Sequence, residues 1–420
     1  ILYSIVDRMF VGQIEEVGNV CLAAVGICGP IVTLLSSFGT LVGIGGSIWL
    51  SMCLGQKNEK RASQILYNSF VMLVVLSICL TLGFILLKHN LIYWFGGSDA
   101  LYPYANTYLT IYTLGTFFAL MSIGLNYFIT GQGYATIAML SVCIGAVTNI
   151  IFDFILIRTL KIGVAGAAIG TVIAQFLSCM FVFCFLRFKS KIKLHKEELS
   201  IEKMKRIVKL GFSPFLISAS DSIILIVMNM MLQKYGGNMG DIYISAITVA
   251  QSYFLLITGP LLGISSGTQP IFAYHFGSQN LKKIKEAFKI VISFAFLFCL
   301  IMFIISMCYS NVFVAMFTND AMTMPIADRA IKIFCLGILM MSIQYVLVDG
   351  ITGLSNVKLS LFLSLNRKLM YLGCTCLLPA FLGVSNIFYA QPVADMYASI
   401  VTVVCFIKII PSYLKSHGVK

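Results

Sequence analysis

Long apolar runs recur along the whole chain and constrain its fold more than any other feature. Runs of about 20 residues, which suffice to cross a bilayer as a helix, follow one another between short polar breaks. A membrane barrel would show short segments of alternating polarity instead. Because 59% of the 420 residues are hydrophobic and only 11% are charged, the sequence predicts an all-α integral membrane protein.

The breaks between the runs define twelve predicted transmembrane helices. They lie near residues 1–13, 24–54, 64–87, 104–130, 134–158, 163–186, 206–233, 244–274, 286–309, 327–353, 357–382 and 388–412. The first is too short to cross a bilayer, so we expect the chain to open within a helix whose first turns are missing. No signal peptide is visible.

The net charge of +13 comes from basic residues that fall mostly on one side of this topology. They concentrate in 57–61, 187–209 and 282–289, whereas the opposite loops hold few. By the positive-inside rule these segments and the C-terminus lie on the cytoplasmic side. We expect the protein to lie in the inner (plasma) membrane. Basic charge placed in this way indicates contact with membrane lipids, and we expect no nucleic-acid partner.

The two halves of the chain repeat one pattern. A shift of 222 residues brings Gly55 and Asn58 onto Gly277 and Asn280, and Leu114-Gly115 onto Leu336-Gly337. This predicts an amino-terminal six-helix lobe (1–186), a cytoplasmic linker (187–205) and a carboxy-terminal six-helix lobe (206–420). Because an even number of helices separates the copies, we expect a pseudo-two-fold axis along the membrane normal, an architecture of transporters.

Small residues recur in the second predicted helix of each copy. GTLVGIGGS covers 39–47 and GPLLGISSG covers 259–267. They indicate close helix packing, although a local break lining a cavity is also compatible with them.

Buried acidic residues mark the candidate site. Most acidic residues fall in or beside loops, but Asp7, Asp153, Asp221, Asp349 and Asp395 lie within predicted helices. An ionisable group at membrane depth is costly and usually marks an ion or substrate path.

The first two of these aspartates lie at a similar depth, towards the outer ends of their helices. Asn149 precedes Asp153 by one helical turn and faces the same way, and Thr171 lies at a matching depth in the next helix. Two carboxylates, a carboxamide and a hydroxyl could hold a proton or coordinate Na⁺. Polar side chains that only tie helices together are the alternative.

Several segments resemble those of multidrug and toxin extrusion (MATE) transporters, most closely the bacterial branch with Asp-Arg in the first helix. They are YSIVDRMFVGQ (3–13), LGQKNEKRA (54–62), TNIIFDFILI (148–157), KIGVAGAAIGTVIAQ (161–175) and MFTND (316–320). The resemblance implies two six-helix lobes, V-shaped around a central cavity. It also implies efflux of amphipathic, mostly cationic compounds in exchange for H⁺ or Na⁺, with no other cofactor. Asp7, Asn149, Asp153 and Thr171 match a cation site of the family.

The carboxy-terminal lobe departs from the family pattern. Asp221 resembles a Glu that some relatives carry, and is a candidate for a substrate or second cation site. Asp349 does not align convincingly. We expect Asp349 and Asp395 to be structural, paired with Arg367 or Lys368, because an ion pair lowers the insertion cost of both partners.

Other function classes fit less well. No GxxxxGK[ST] phosphate loop is present, which argues against direct use of ATP. A lipid-linked oligosaccharide or peptidoglycan-precursor flippase is the nearest alternative, but it would need several basic residues for a diphosphate, and mainly Arg8 and Arg367 are candidates. An intramembrane enzyme would need clustered metal-binding carboxylates, which we do not find. The predicted protein is therefore a monomeric transporter, with no resident metal and no enzymatic activity.

Overall fold

The structure, a computed structural model, describes residues 2–15, 17–55, 57–268, 271–272, 275–276, 279–354 and 356–416. Helices dominate the described residues. The α-helices are α1 (Leu2–Gly12), α2 (Gly18–Gly55), α3 (Glu59–Trp94), α4 (Tyr102–Leu114), α5 (Thr116–Gly131), α6 (Ala135–Asp153), α7 (Val164–Cys184), α8 (Ile201–Gly236), α9 (Gly240–Gly267), α10 (Leu281–Ala315), α11 (Thr323–Cys335), α12 (Ile338–Gly353), α13 (Val357–Leu382) and α14 (Ala390–Ser416).

Each predicted transmembrane helix coincides with one of these helices or with two in succession. A π-helical segment, Phe154–Thr159, continues α6, and another, Phe185–Lys189, continues α7. Residues 269–270 and 273–274 of the eighth predicted helix lie outside the described residues. Within the described residues, seven helical stretches are long and apolar enough to cross a membrane, and nine if each bent pair counts as one. The all-helical membrane fold is confirmed.

Two predicted helices are broken near their middle. The axis bends by 55° between α4 and α5, at Gly115, and by 48° between α11 and α12, at Gly337. A Cβ on Gly115 would lie 2.5 Å from Val172, and one on Gly337 would lie 2.9 Å from the Cα of Pro392. Because glycine has no side chain, a neighbouring helix can pack closely against each bend. The spans predicted at 104–130 and 327–353 are therefore each formed by two helices with a bend between them.

The internal repeat is visible in local geometry. Asn58 caps α3 by accepting a hydrogen bond from the backbone N–H of Arg61 at 3.0 Å. Asn280 caps α10 in the same way through Lys283, also at 3.0 Å. The residue directly before each cap, Lys57 or Gln279, has a positive φ. The shift of 222 residues thus aligns two copies of one local structure, although Gly277 lies outside the described residues.

The first glycine-rich run packs closely, as predicted. A Cβ on Gly43 would lie 2.8 Å from the carbonyl oxygen of Gly124, and one on Gly45 would collide with the carbonyl oxygen of Ile207 in α8. Gly263 in the second run has open space around it. The packing role is therefore confirmed for α2, whereas Gly263 in α9 has no such contact.

Contacts divide the chain into two compact units, Leu2–Ile226 and the part from Val227 onward. The first unit contains the segment predicted as a linker and the first part of α8. Its apolar core includes Leu66, Phe128 and Leu186. The lobe boundaries at 186 and 206 stay predictions.

The segment after α7 is fixed to this first unit. The Gln132 side chain bonds the backbone of Ile192 through both of its polar atoms, at 2.7 and 3.3 Å. The Asn68 side chain donates to the carbonyl of Glu198 at 2.9 Å and accepts from the N–H of Ser200 at 2.8 Å. Ile192 and Leu194 are buried in the apolar core. The segment is therefore part of a packed structure, which its polar composition did not indicate.

Candidate cation site

The predicted pair of carboxylates meets inside the first compact unit. Asp7 lies in the middle of α1, and Asp153 is the last residue of α6. Their exposed fractions are 7% and 0%. The two buried carboxyl groups interact with each other. The sequence predicted that Asp7 and Asp153 lie at a similar depth in the membrane. The packing of α1 against α6 brings them together.

Asn149 and Thr171 complete the cluster. The Asn149 amide group donates to Asp153 Oδ1 at 3.3 Å and to the Thr171 hydroxyl oxygen at 3.4 Å. Thr171 in turn donates to the carbonyl oxygen of Ala167 at 3.0 Å. Because Asn149 and Asp153 are four residues apart, α6 presents both to the same face of α7. All four residues predicted to form the site come together.

Glycine permits the close approach of α7. A Cβ on Gly170 would lie 2.6 Å from Asp153 Oδ1 and 3.5 Å from the Cβ of Phe152. The turn before α7 uses Gly163 with φ of 73°, a conformation that other residues adopt at a cost. Gly170 was not singled out from the sequence, although its place next to Thr171 in a small-residue helix was a usable signal.

Arg8 and Tyr108 form the electrostatic surroundings. The positive charge of Arg8 interacts with Asp7, and the carboxyl groups of Asp7 and Asp153 act electrostatically on the neutral hydroxyl of Tyr108. Tyr108 comes from α4 and is 6% exposed. Tyr108 could not be identified from the sequence, because a tyrosine on a partly apolar helix carries no signal of its own.

The cluster leaves several buried acceptor oxygens without a hydrogen-bond donor. They are Asp7 Oδ1, Asn149 Oδ1 and Asp153 Oδ2. Buried polar atoms without partners are costly, so this site fits a ligand that accepts electron pairs from oxygen. A proton or a hard cation such as Na⁺ satisfies that requirement. Within the described residues, no cluster of three or more His, Cys, Asp or Glu side chains suits a transition metal.

A cavity of about 320 Å³ adjoins the cluster. Asn149 and Thr171 line it, and so do Ser141, Gln175 and Ser178 from the same two helices. The cavity runs along α6 from Asn149 towards Ser141, a distance of about 12 Å for eight helical residues. The candidate cation site therefore borders a cavity whose lining includes polar side chains of α6 and α7.

The MatE family model matches residues 1–155 and 217–370, which is more than half of the chain. The chain belongs to the MatE family. Multidrug export protein MepA of Staphylococcus haemolyticus is 24% identical over 403 residues, covering 94% of this chain and 86% of that protein. Its counterpart in Staphylococcus saprophyticus is 23% identical over 398 residues, covering 94% and 87%.

Solved MATE structures share the fold. An inward-facing multidrug resistance MATE family transporter of the MOP superfamily has a TM-score of 0.90 at 23% identity, covering 99% of this chain and 95% of that chain. The MATE multidrug transporter DinF-BH has a TM-score of 0.78 at 29% identity, covering 97% and 91%. The chain is thus a multi-pass MATE family transporter.

Asp221 is not among the residues that form the candidate cation site of this MATE chain. It belongs to α8, which carries none of the four site residues, and its side chain is exposed. The cavity beside Asn149 does not include it. Its role as a substrate or second cation site stays a prediction.

A buried ion pair occupies the second compact unit. Arg367 Nε of α13 donates to Asp395 Oδ1 of α14 at 2.8 Å, and Arg367 Nη1 donates to the Tyr345 hydroxyl at 3.1 Å. Gln391 donates to the other oxygen of Asp395 at 2.8 Å. Both oxygens of the fully buried Asp395 are therefore satisfied, and the structural pairing predicted for Asp395 with Arg367 is confirmed. The structural role expected of Asp349 stays a prediction.

Proposed function

We propose that this chain is a secondary active multidrug efflux antiporter that exports amphipathic, mostly cationic compounds in exchange for H⁺ or Na⁺ by alternating access. The observation that carries the proposal is the buried Asp7–Asp153 contact with its undonated oxygens. We place the protein in the inner membrane with its C-terminus in the cytoplasm, on the evidence of its basic segments.

Repulsion between the two carboxylates supplies the coupling. Two unit charges about 4 Å apart repel by about 4 kcal/mol at an effective dielectric constant of 20. A positive charge held between Asp7 and Asp153 removes this repulsion and lets α1 pack closely against α6. The empty pair favours a looser arrangement of the same helices. A cation drives the transport cycle only to the extent that it binds these two arrangements with different affinity.

The names of the relatives support the substrate class. The two MepA proteins are described as multidrug export proteins, and DinF-BH is described as a multidrug transporter. The flippase alternative loses support from the structure. Arg367 is neutralised by Asp395, and the charge of Arg8 interacts with Asp7, so neither is an uncompensated cation for a diphosphate.

Transport in proteoliposomes tests the proposal. Efflux of a fluorescent cationic dye is measured under an imposed pH gradient and then under an imposed Na⁺ gradient. We expect one gradient to drive efflux by the unaltered protein. Asp153→Asn and Asp7→Asn each abolish the gradient-driven part, because each permanently mimics the neutral form of one carboxyl group.

The pair should behave as one unit, so the double variant is little worse than either single variant. Asp99→Asn is the matched control, since Asp99 is an exposed carboxylate that accepts a hydrogen bond from the Tyr93 hydroxyl, outside the site. Dye binding to each folded variant separates loss of coupling from loss of structure. Full gradient-driven efflux by both single variants would refute the site.

A further inference from the structure

Trp49 of α2 contacts two arginines from distant parts of the chain. The guanidinium carbon of Arg61 in α3 lies 5.3 Å from the centre of the indole ring, and that of Arg206 in α8 lies 4.5 Å from it. The indole is only 3% exposed, whereas both arginines are exposed. Three helices thus present two cationic groups around one aromatic ring.

No carboxylate neutralises these two arginines within the described residues. Neither Arg61 nor Arg206 takes part in any ion pair of that part of the chain. The nearby Glu59 is paired with Lys191 at 3.1 Å. Two cations that share one ring repel each other, and a bound anion would relieve that repulsion.

The internal repeat provides a comparison. Lys283 occupies the position equivalent to Arg61, and it pairs with Glu286 at 2.9 Å. In the first copy Gln64 replaces Glu286, and Trp49 stands where the second copy has Ile271. The first copy therefore lacks a carboxylate equivalent to the one that pairs with Lys283 in the second copy. It has an aromatic ring in addition. Both differences favour the binding of an anion beside Arg61.

The position of the cluster limits which anion can reach it. Trp49 lies six residues before the end of α2, which is about 9 Å, while Arg61 and Arg206 lie in the first two turns of their helices. Tryptophan is enriched at the level of lipid headgroups, and the surrounding basic segments lie on the predicted cytoplasmic side. The planar guanidinium group matches the geometry of phosphate oxygens.

We propose that Arg61 and Arg206 bind the phosphate of an anionic phospholipid headgroup against Trp49, at the cytoplasmic face of the first compact unit. Such a lipid ties α3 to α8 close to the point where α2 and α8 approach most tightly. There a Cβ on Gly211 would collide with the carbonyl oxygen of Leu41. The site is independent of the coupling ion and of the transported compound.

Intrinsic fluorescence reports on this site directly, since Trp49 and Trp94 are the two tryptophans of the chain. A Trp94→Phe protein leaves Trp49 as its single tryptophan, and its quenching is measured in vesicles containing brominated phosphatidylglycerol or brominated phosphatidylcholine. We expect stronger quenching by the anionic lipid at equal mole fraction. Arg61→Ala or Arg206→Ala should each weaken the preference about fivefold, and the double variant should remove it.

Lys283→Ala is the matched control, because it removes a basic residue at the equivalent position of the other copy. It should leave the preference unchanged. Millimolar inorganic phosphate should not reverse the quenching, and reversal would assign the site to a free anion instead. Equal quenching by both lipids in the Trp94→Phe protein would overturn the proposal. Circular dichroism of each variant excludes loss of fold as the cause.

Discussion

Breaking the Arg367–Asp395 pair should cost far more than replacing both partners. Asp395 is 0% exposed and the Arg367 side chain 17%, at an N–O distance of 2.8 Å. Arg367→Met leaves a carboxylate buried, with the amide of Gln391 still donating to one of its oxygens and no positive charge beside it. Removal of one partner of a buried pair typically costs about 3–5 kcal/mol. We expect a loss of unfolding free energy in that range.

The double variant Arg367→Met/Asp395→Asn should recover most of this loss. The asparagine that replaces Asp395 keeps the shape of the side chain and still accepts a hydrogen bond from Gln391, while no charge remains buried. The coupling energy of the cycle should be about 2–3 kcal/mol. Unfolding in mixed micelles of increasing denaturing-detergent content, followed by circular dichroism, measures all four proteins.

The pair Lys332–Asp328 supplies a control in the same compact unit. It has the same N–O distance of 2.8 Å, but its side chains are 41% and 24% exposed. Because solvent screens such a pair, its coupling energy should stay below about 1 kcal/mol. Equal coupling energies for the two pairs, or an Arg367→Met protein as stable as the unaltered one, would refute the role assigned to burial.

Three further predictions concern the site and the topology. Gly170→Ala places a methyl group 2.6 Å from Asp153 Oδ1 and should abolish gradient-driven efflux, whereas Gly83→Ala, which meets nothing within 4 Å, should not; equal activity of the two variants would contradict the geometry. Asp221→Asn should reduce export of cationic substrates more than export of neutral ones, and equal losses would point to coupling or folding. A cysteine replacing the exposed Lys193 should react with an impermeant thiol reagent only from the cytoplasm, once exposed native cysteines are replaced; labelling from outside would reverse the topology.

The sequence was sufficient to predict the helices, the repeat and the grouping of the four candidate site residues. Apolar runs are strong signals because a bilayer leaves few alternatives to a helix. Asp7 and Asp153 could be paired from depth alone, since the lengths of the helices fix where each carboxylate lies. Asn149 followed from its spacing to Asp153.

Other features that depend on tertiary packing could not be predicted. The bends at Gly115 and Gly337 depend on which helix packs against each glycine, and isolated glycines are common in membrane helices. Tyr108 joins the candidate cation site through tertiary packing of α4. Arg206 and Trp49 are brought together by the crossing of α2 and α8, and their separation in sequence conceals this contact.

The attachment of the segment after α7 has a consequence for synthesis of the protein on the ribosome. Ile192 and Leu194 fill part of the apolar core around Leu66 and Phe128, so the core of the first compact unit is incomplete when α7 has emerged. A nascent chain stopped at residue 189 exposes this gap, whereas one that extends to residue 200 also contains the backbone groups that Asn68 binds. Half-length proteins made for coexpression should therefore not be divided before residue 200, because such a cut removes part of the core of the first half.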